Sequence, residues 1–217
     1  MSGAAQAVPV EAVLGEIPWI ALWQAWSLAA PVGLHRRLLD AYGEHHRAYH
    51  TGQHLEECLG LLDELWHDAD RPHELALALW FHDAVYRPRR QDNEHVSAQW
   101  LVAEASQANV PDDAVDRMRR LVMATCHHAQ PEPGDASLLV DIDLAILGAN
   151  PERFAQYERQ VRREFRWAPA PLYRAGRARV LRSFLDRPSI YVTVAMRDRF
   201  EAAARRNLQA SLRQLCG

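Results

Sequence analysis

From Leu75 to Phe81 every residue is apolar, and the run ends in an adjacent His82 and Asp83. A helix with no polar face belongs in the interior of a fold, surrounded by other helices. This segment therefore demands a core wide enough to enclose it. It also delivers two ionisable side chains to the edge of that core. A buried charge without a partner is costly, so His82 and Asp83 need a reason. A metal ion shared by imidazole and carboxylate is the simplest one. A hydrogen-bonded core histidine beside a capping aspartate is the plainer one. The choice depends on the rest of the chain.

The rest of the chain reads as helices that can do the enclosing. Apolar residues recur at helical spacing over Pro18 to Ala30, Leu34 to Tyr49, His54 to Trp66 and Asn93 to Ala108. The same holds for Asp112 to His127, Pro151 to Phe165, Pro169 to Leu185 and Ser189 to Leu215. Pro72 opens the central helix, which runs to Tyr86, and Tyr86 to Asp92 is a polar loop with Pro88. Ser137 to Leu147 reads as a short apolar helix closed by Gly148 as a C-terminal cap. No strand-length alternation interrupts the pattern. The expectation is an all-α fold of roughly eight to ten helices. At 217 residues it forms one domain, 1–217, with residues 1–17 at its periphery.

Charge and cysteine content narrow the function. A formal net charge of -3 argues against general affinity for nucleic acid. Lysine is absent, so all 25 basic side chains are arginine, and any phosphate clamp would be a bidentate guanidinium. Three cysteines, Cys58, Cys126 and Cys216, without CxxC spacing, suit a reducing compartment rather than a disulfide framework. The start of the chain has no basic segment followed by a long apolar run. No apolar stretch is long enough for a bilayer. A cytoplasmic protein without membrane contact is expected.

Polar residues that break the amphipathic scheme gather in four places. They are Tyr49 to His54, His82-Asp83, Thr125 to His128, and Asp141 with Asp143 inside Leu138 to Leu147. Each lies at a helix end or in otherwise apolar sequence. One histidine in such a place is an ordinary core residue. Four clusters of ligand-type side chains ask for a shared cause, because ionised aspartate is almost never buried alone.

The order His54, then His82-Asp83, then Asp143 resembles the HD superfamily of metal-dependent phosphohydrolases. The resemblance extends to a bacterial branch with segments YHxxxH, ALWFHDxVY followed by DNE, a T-x-H-type segment, DxDLxILG, R-x-x-IY and AR-x-NL. Here they stand as Tyr49 to His54, Ala78 to Tyr86 with Asp92 to Glu94, Thr125 to His128, Asp141 to Gly148, Arg187 to Tyr191, and Ala204 to Leu208. The resemblance implies an HD-domain helical bundle. It also implies His54, His82, Asp83 and Asp143 as metal ligands, with His82 and Asp83 at the centre of catalysis.

Two imidazoles and two carboxylates suit Mn, Fe, Co, Ni, Zn or Mg, and two carboxylate charges neutralise one divalent ion. A metal-bound water would be the nucleophile on a nucleotide or another small phosphate ester. His50, His127, His128 and Asp141 are candidates for a second ion or for orienting the ligands of the first. Arg87, Arg89 and Arg90, with Glu94, are candidates for holding the substrate, against the plain reading of a solvated charged loop. Two other classes compete: a non-catalytic metal- or nucleotide-binding regulator with the same fold, and a di-iron oxygenase. HExxH is absent, since Thr51 follows His50, and so are a P-loop, GxSxG and GxGxxG. The sequence is compatible with an oligomer.

Overall fold

The computed structural model describes residues 13–126 and 131–216. Among the described residues the fold is all-α, with no strand. The helices are α1 (Glu16–Gln24), α2 (Leu34–Tyr42), α3 (Gly52–Glu64), α4 (Pro72–His82) and α5 (Asn93–Gln107). They continue as α6 (Asp112–Ala124), α7 (Asp135–Asp143), α8 (Pro151–Glu164), α9 (Ala170–Leu185) and α10 (Val194–Cys216). Short 3₁₀ turns, Trp66–Asp68 and Leu144–Gly148, follow α3 and α7. None of these helices is long and apolar enough to cross a membrane.

The apolar run behaves as its composition requires. Every residue of α4 from Glu74 to His82 is buried, and the helix touches α1, α3, α5, α6 and α7. Its one internal acid is neutralised: Arg117 of α6 forks onto Glu74, with Nε 2.8 Å from Oε2 and Nη2 2.7 Å from Oε1. The N-terminal end is tied to α7, where Asp135 accepts the backbone N–H groups of Asp70 and Arg71 at 2.8 and 2.9 Å. Helices α3, α4 and α7 all touch one another, and their adjoining ends carry His54, His82 and Asp143.

Several boundaries differ from the sequence reading: the first helix ends at Gln24 rather than Ala30, and the last begins at Val194 rather than Ser189. The second helix stops at Tyr42 rather than Tyr49. Arg47 in the following segment is instead turned inward, 5% exposed, to cap the end of α4. The central helix ends at His82, four residues short of Tyr86. The helix read to Leu147 is α-helical only to Asp143 and tightens to a 3₁₀ turn ending at Gly148. Gly148 is no left-handed cap, since positive φ among the described glycines is confined to Gly33 and Gly134. It is glycine because a Cβ there would lie 2.7 Å from Cβ and 2.8 Å from the carbonyl oxygen of Phe200 in α10.

Candidate metal centre

His54 projects from the first turn of α3, His82 closes α4, Asp83 follows it, and Asp143 closes α7. Their donor atoms meet at one point. His54 Nε2 is 3.2 Å from His82 Nε2, 3.0 Å from Asp143 Oδ1 and 3.6 Å from Asp83 Oδ2. His82 Nε2 is 3.1 Å from Asp83 Oδ2 and 3.6 Å from Asp143 Oδ1. Donors about 2.1 Å from one ion stand about 3.0 Å apart along an octahedral edge and about 3.4 Å along a tetrahedral one. Three of the observed separations, 3.0 to 3.2 Å, fall within that range, and the two of 3.6 Å lie slightly beyond it. His54, Cys58, His82 and Asp143 form a group that could hold a metal ion, and the Asp83 carboxylate lies beside it against His82.

The imidazoles are deeply buried and the carboxylates, each with 14% of the side chain exposed, form the open side. His82 Nδ1 lies 2.6 Å from the carbonyl oxygen of Leu79, so it is the donor there and Nε2 faces the cluster. His54 Nδ1 is 3.1 Å from the Tyr49 hydroxyl. Burial disfavours the charged forms on both sides of the group. Despite it, Asp83 and Asp143 hold the His82 imidazole well above its ordinary value. Burial also raises the Asp83 carboxyl, but His82, His50 and His54 outweigh it and hold Asp83 below the usual carboxylate range. Such mutual stabilisation is what an acid–base cluster shows without a cation; a divalent ion would take over the role of the imidazole protons.

Sequence reasoning missed three contributors, Cys58, Arg47 and Glu164. Cys58, one turn after His54, sets its thiol 3.7 Å from His54 Nδ1, and with His54, His82 and Asp143 offers ligand atoms all within 4.8 Å of one another. A cysteine spaced four from a ligand on a helix is the signal that could have found it. Arg47 donates to the carbonyls of Asp83 at 2.6 Å, Ala84 at 2.9 Å and His50 at 3.1 Å, fixing the turn that aims Asp83. Glu164, at the end of α8, accepts the N–H groups of Ala48, Tyr49 and His50 on Oε1. Its Oε2 takes His50 Nδ1 at 2.8 Å and the Tyr86 hydroxyl at 3.0 Å. Burial raises the Glu164 carboxyl, but His50 and these N–H donors outweigh it and bring it down to about 2. Tyr49, at the head of the Tyr49 to His54 segment that the sequence singled out, contributes through His54.

The remaining candidates scatter. His50 stacks on Tyr86, ring centroids 3.9 Å apart, and its charge is felt by Asp83, so it stands beside the cluster. Asp141 does not join it. The carboxylate is fully buried and accepts the N–H groups of Val192 and Thr193 and the Thr193 hydroxyl, at 2.7 to 3.0 Å. Residues two apart on a helix point to different sides, so Asp141 caps the entry to α10 while Asp143 faces the donors. Arg90 pairs with Asp92 within its own loop, and Arg87 with Glu44 and His46. Arg89 lies over the Trp167 ring at 4.8 Å. Glu94, on α5, stands near the Cys126 thiol. His127 and His128 lie outside the described residues.

Comparison with known proteins finds no matching family model, no matching curated protein and no matching solved structure.

Proposed function

We propose that the chain is a metal-dependent phosphohydrolase of the HD type, acting on a nucleotide or another small phosphate ester. One observation carries this reading: His54, His82, Asp83 and Asp143, spread over some 90 positions of sequence, present their donors at ligand–ligand separations. A divalent ion bound there would supply a water of lowered pKa and polarise a phosphoryl oxygen.

The chain's own residues supply the rest. The Leu79 carbonyl keeps the proton of His82 on Nδ1, so Nε2 is free to coordinate. Tyr49 fixes the ring of His54. Arg47 holds the turn from which Asp83 projects. Glu164 holds His50 by Nδ1, leaving its Nε2 to orient water or a phosphoryl oxygen beside Asp83. The candidate ions are Mn, Fe, Co, Ni, Zn and Mg; engagement of the Cys58 thiol would favour the softer Zn and Fe.

The test compares metal per chain and turnover of phosphorylated metabolites with Mn²⁺ for wild type, Asp83→Ala and Arg90→Ala. Loss of a direct ligand should weaken metal binding by more than the roughly 10- to 100-fold of an outer-contact change, with turnover lost alongside. Arg90, exposed and paired locally, should be neutral. Equal metal content in wild type and Asp83→Ala would sink the reading.

A further inference from the structure

A cavity of about 330 Å³ opens beside the His50–Glu164 pair, lined by His46, Arg87, Pro88, Arg89, Arg166 and Trp167 as well as Glu164 itself. That size lies within the range of small-ligand pockets. Its wall joins an exposed indole to guanidinium groups. Trp167 is 47% exposed and carries Arg89 over its ring at 4.8 Å. Neither Arg89 nor Arg166 forms an ion pair with a carboxylate among the described residues, whereas the neighbouring Arg87 and Arg90 do. The one acid in the lining is turned away: both Glu164 oxygens are spent on N–H and O–H donors, and its side chain is fully buried.

The indole is held in place. Arg162 donates to the carbonyls of Phe165 at 2.7 Å and Ala168 at 3.3 Å, bracketing the turn that carries Trp167. Phe165 packs between Trp167 and Tyr173, and Arg162 lies over the Tyr173 ring at 4.6 Å. With Arg89 on one side, the half-exposed indole is a fixed aromatic group, and such a group binds a flat ring with little ordering cost. Guanidinium groups free of carboxylates bind phosphate oxygens bidentately.

From these features we infer that the cavity binds a mononucleotide, its base stacked on Trp167 and its phosphate held by Arg89 and Arg166. The inference names the substrate class of the proposed phosphohydrolase and rests on that reading only for the site's purpose; the binding itself needs no metal chemistry. It moves the anion contacts from the Arg87–Arg90 loop alone to a pair formed across the cavity with the α8–α9 turn.

The experiment titrates the full-length chain with AMP, GMP, CMP, inorganic phosphate and adenosine by calorimetry, in Mn²⁺, with metal per chain measured on the same samples. Base–aromatic stacking accounts for roughly 5- to 100-fold in affinity. Trp167→Ala should weaken AMP by at least fivefold and leave inorganic phosphate unchanged. Arg89→Gln with Arg166→Gln should weaken both AMP and phosphate by at least tenfold and leave adenosine unchanged. All three side chains are exposed, so unchanged melting temperatures are expected and checked. Wild-type AMP affinity in either variant, or no AMP binding to wild type, overturns the inference. Trp167-dependent AMP binding by a chain that carries no metal upholds it while removing the phosphohydrolase reading. Metal binding with turnover of other phosphate esters, but without nucleotide binding, does the reverse.

Discussion

The guanidinium of Arg47 donates to the main-chain oxygen of Asp83 at 2.6 Å. With the bonds to Ala84 and His50, one side chain satisfies carbonyls at the end of the buried helix and in the segment leading to His54. A helix end in the core without such a partner leaves oxygens stranded from water.

Replacing Arg47 by Met should therefore destabilise the fold by about 3 kcal/mol, the cost of leaving charged hydrogen bonds unmade in a buried site. Lysine should recover only part, because a single ammonium cannot reach the oxygens that a fork reaches. Urea denaturation of Arg47→Met and Arg47→Lys measures both; equal stability in all three proteins contradicts the capping role.

The two aspartates of α7 should separate by readout. Asp141→Asn disturbs the carboxylate that takes the Val192 and Thr193 N–H groups and should cost on the order of 1–3 kcal/mol while metal content holds. Asp143→Asn should do the opposite, losing metal at modest cost to the metal-free fold. Parallel melts and metal analysis decide it, and metal loss in Asp141→Asn would return that residue to the ligand set.

Glu164 sets an acid limit. Its carboxyl falls from an ordinary 4.5 to about 2 on folding, so the unfolded chain binds the proton more readily. The stabilisation, on the order of 3 kcal/mol, is present above about pH 4.5 and disappears as pH falls towards 2. Its partner His50 has a raised value despite burial, through Asp83 and Glu164. That contribution has the opposite sign: it is complete below the ordinary histidine value and is lost as pH rises through the elevated one. Glu164→Gln should flatten the acid limb of a stability–pH curve. An unchanged slope between pH 4.5 and 2 contradicts the assignment.

Gly148→Ala should destabilise by about 1–3 kcal/mol through overpacking against α10. The contact is to the Cβ and backbone oxygen of Phe200, so Phe200→Ala in the same chain should give no rescue. A double-mutant cycle on melting temperature checks it, and recovery in the double variant would place the clash on the ring instead.

Helix positions were legible because periodicity, proline and glycine act locally. Ligand-type residues were legible by type: histidine and aspartate inside Leu75 to Asp83 and Leu138 to Leu147 announce a partner. Which partner was not legible for Asp141, since a carboxylate in an apolar run looks alike whether it meets an ion or three N–H and O–H donors. Arg47 and Glu164 were invisible for another reason. Glu164 sits in a charged stretch, Arg162 to Glu164, that reads as a solvated face, and its partners lie some 115 positions away. Only the packing of α8 on the rest turns it inward.

That long span bears on how the chain reaches its final form. Contacts between residues 48–50 and 164, like those between His54 and Asp143, close large loops, so they add their enthalpy only after most chain entropy has been surrendered. A partly folded species holding α3 to α6 owns two imidazoles and one carboxylate but no completed set. An ion of modest affinity would thus discriminate in favour of the finished chain, raising its population by mass action while offering intermediates little.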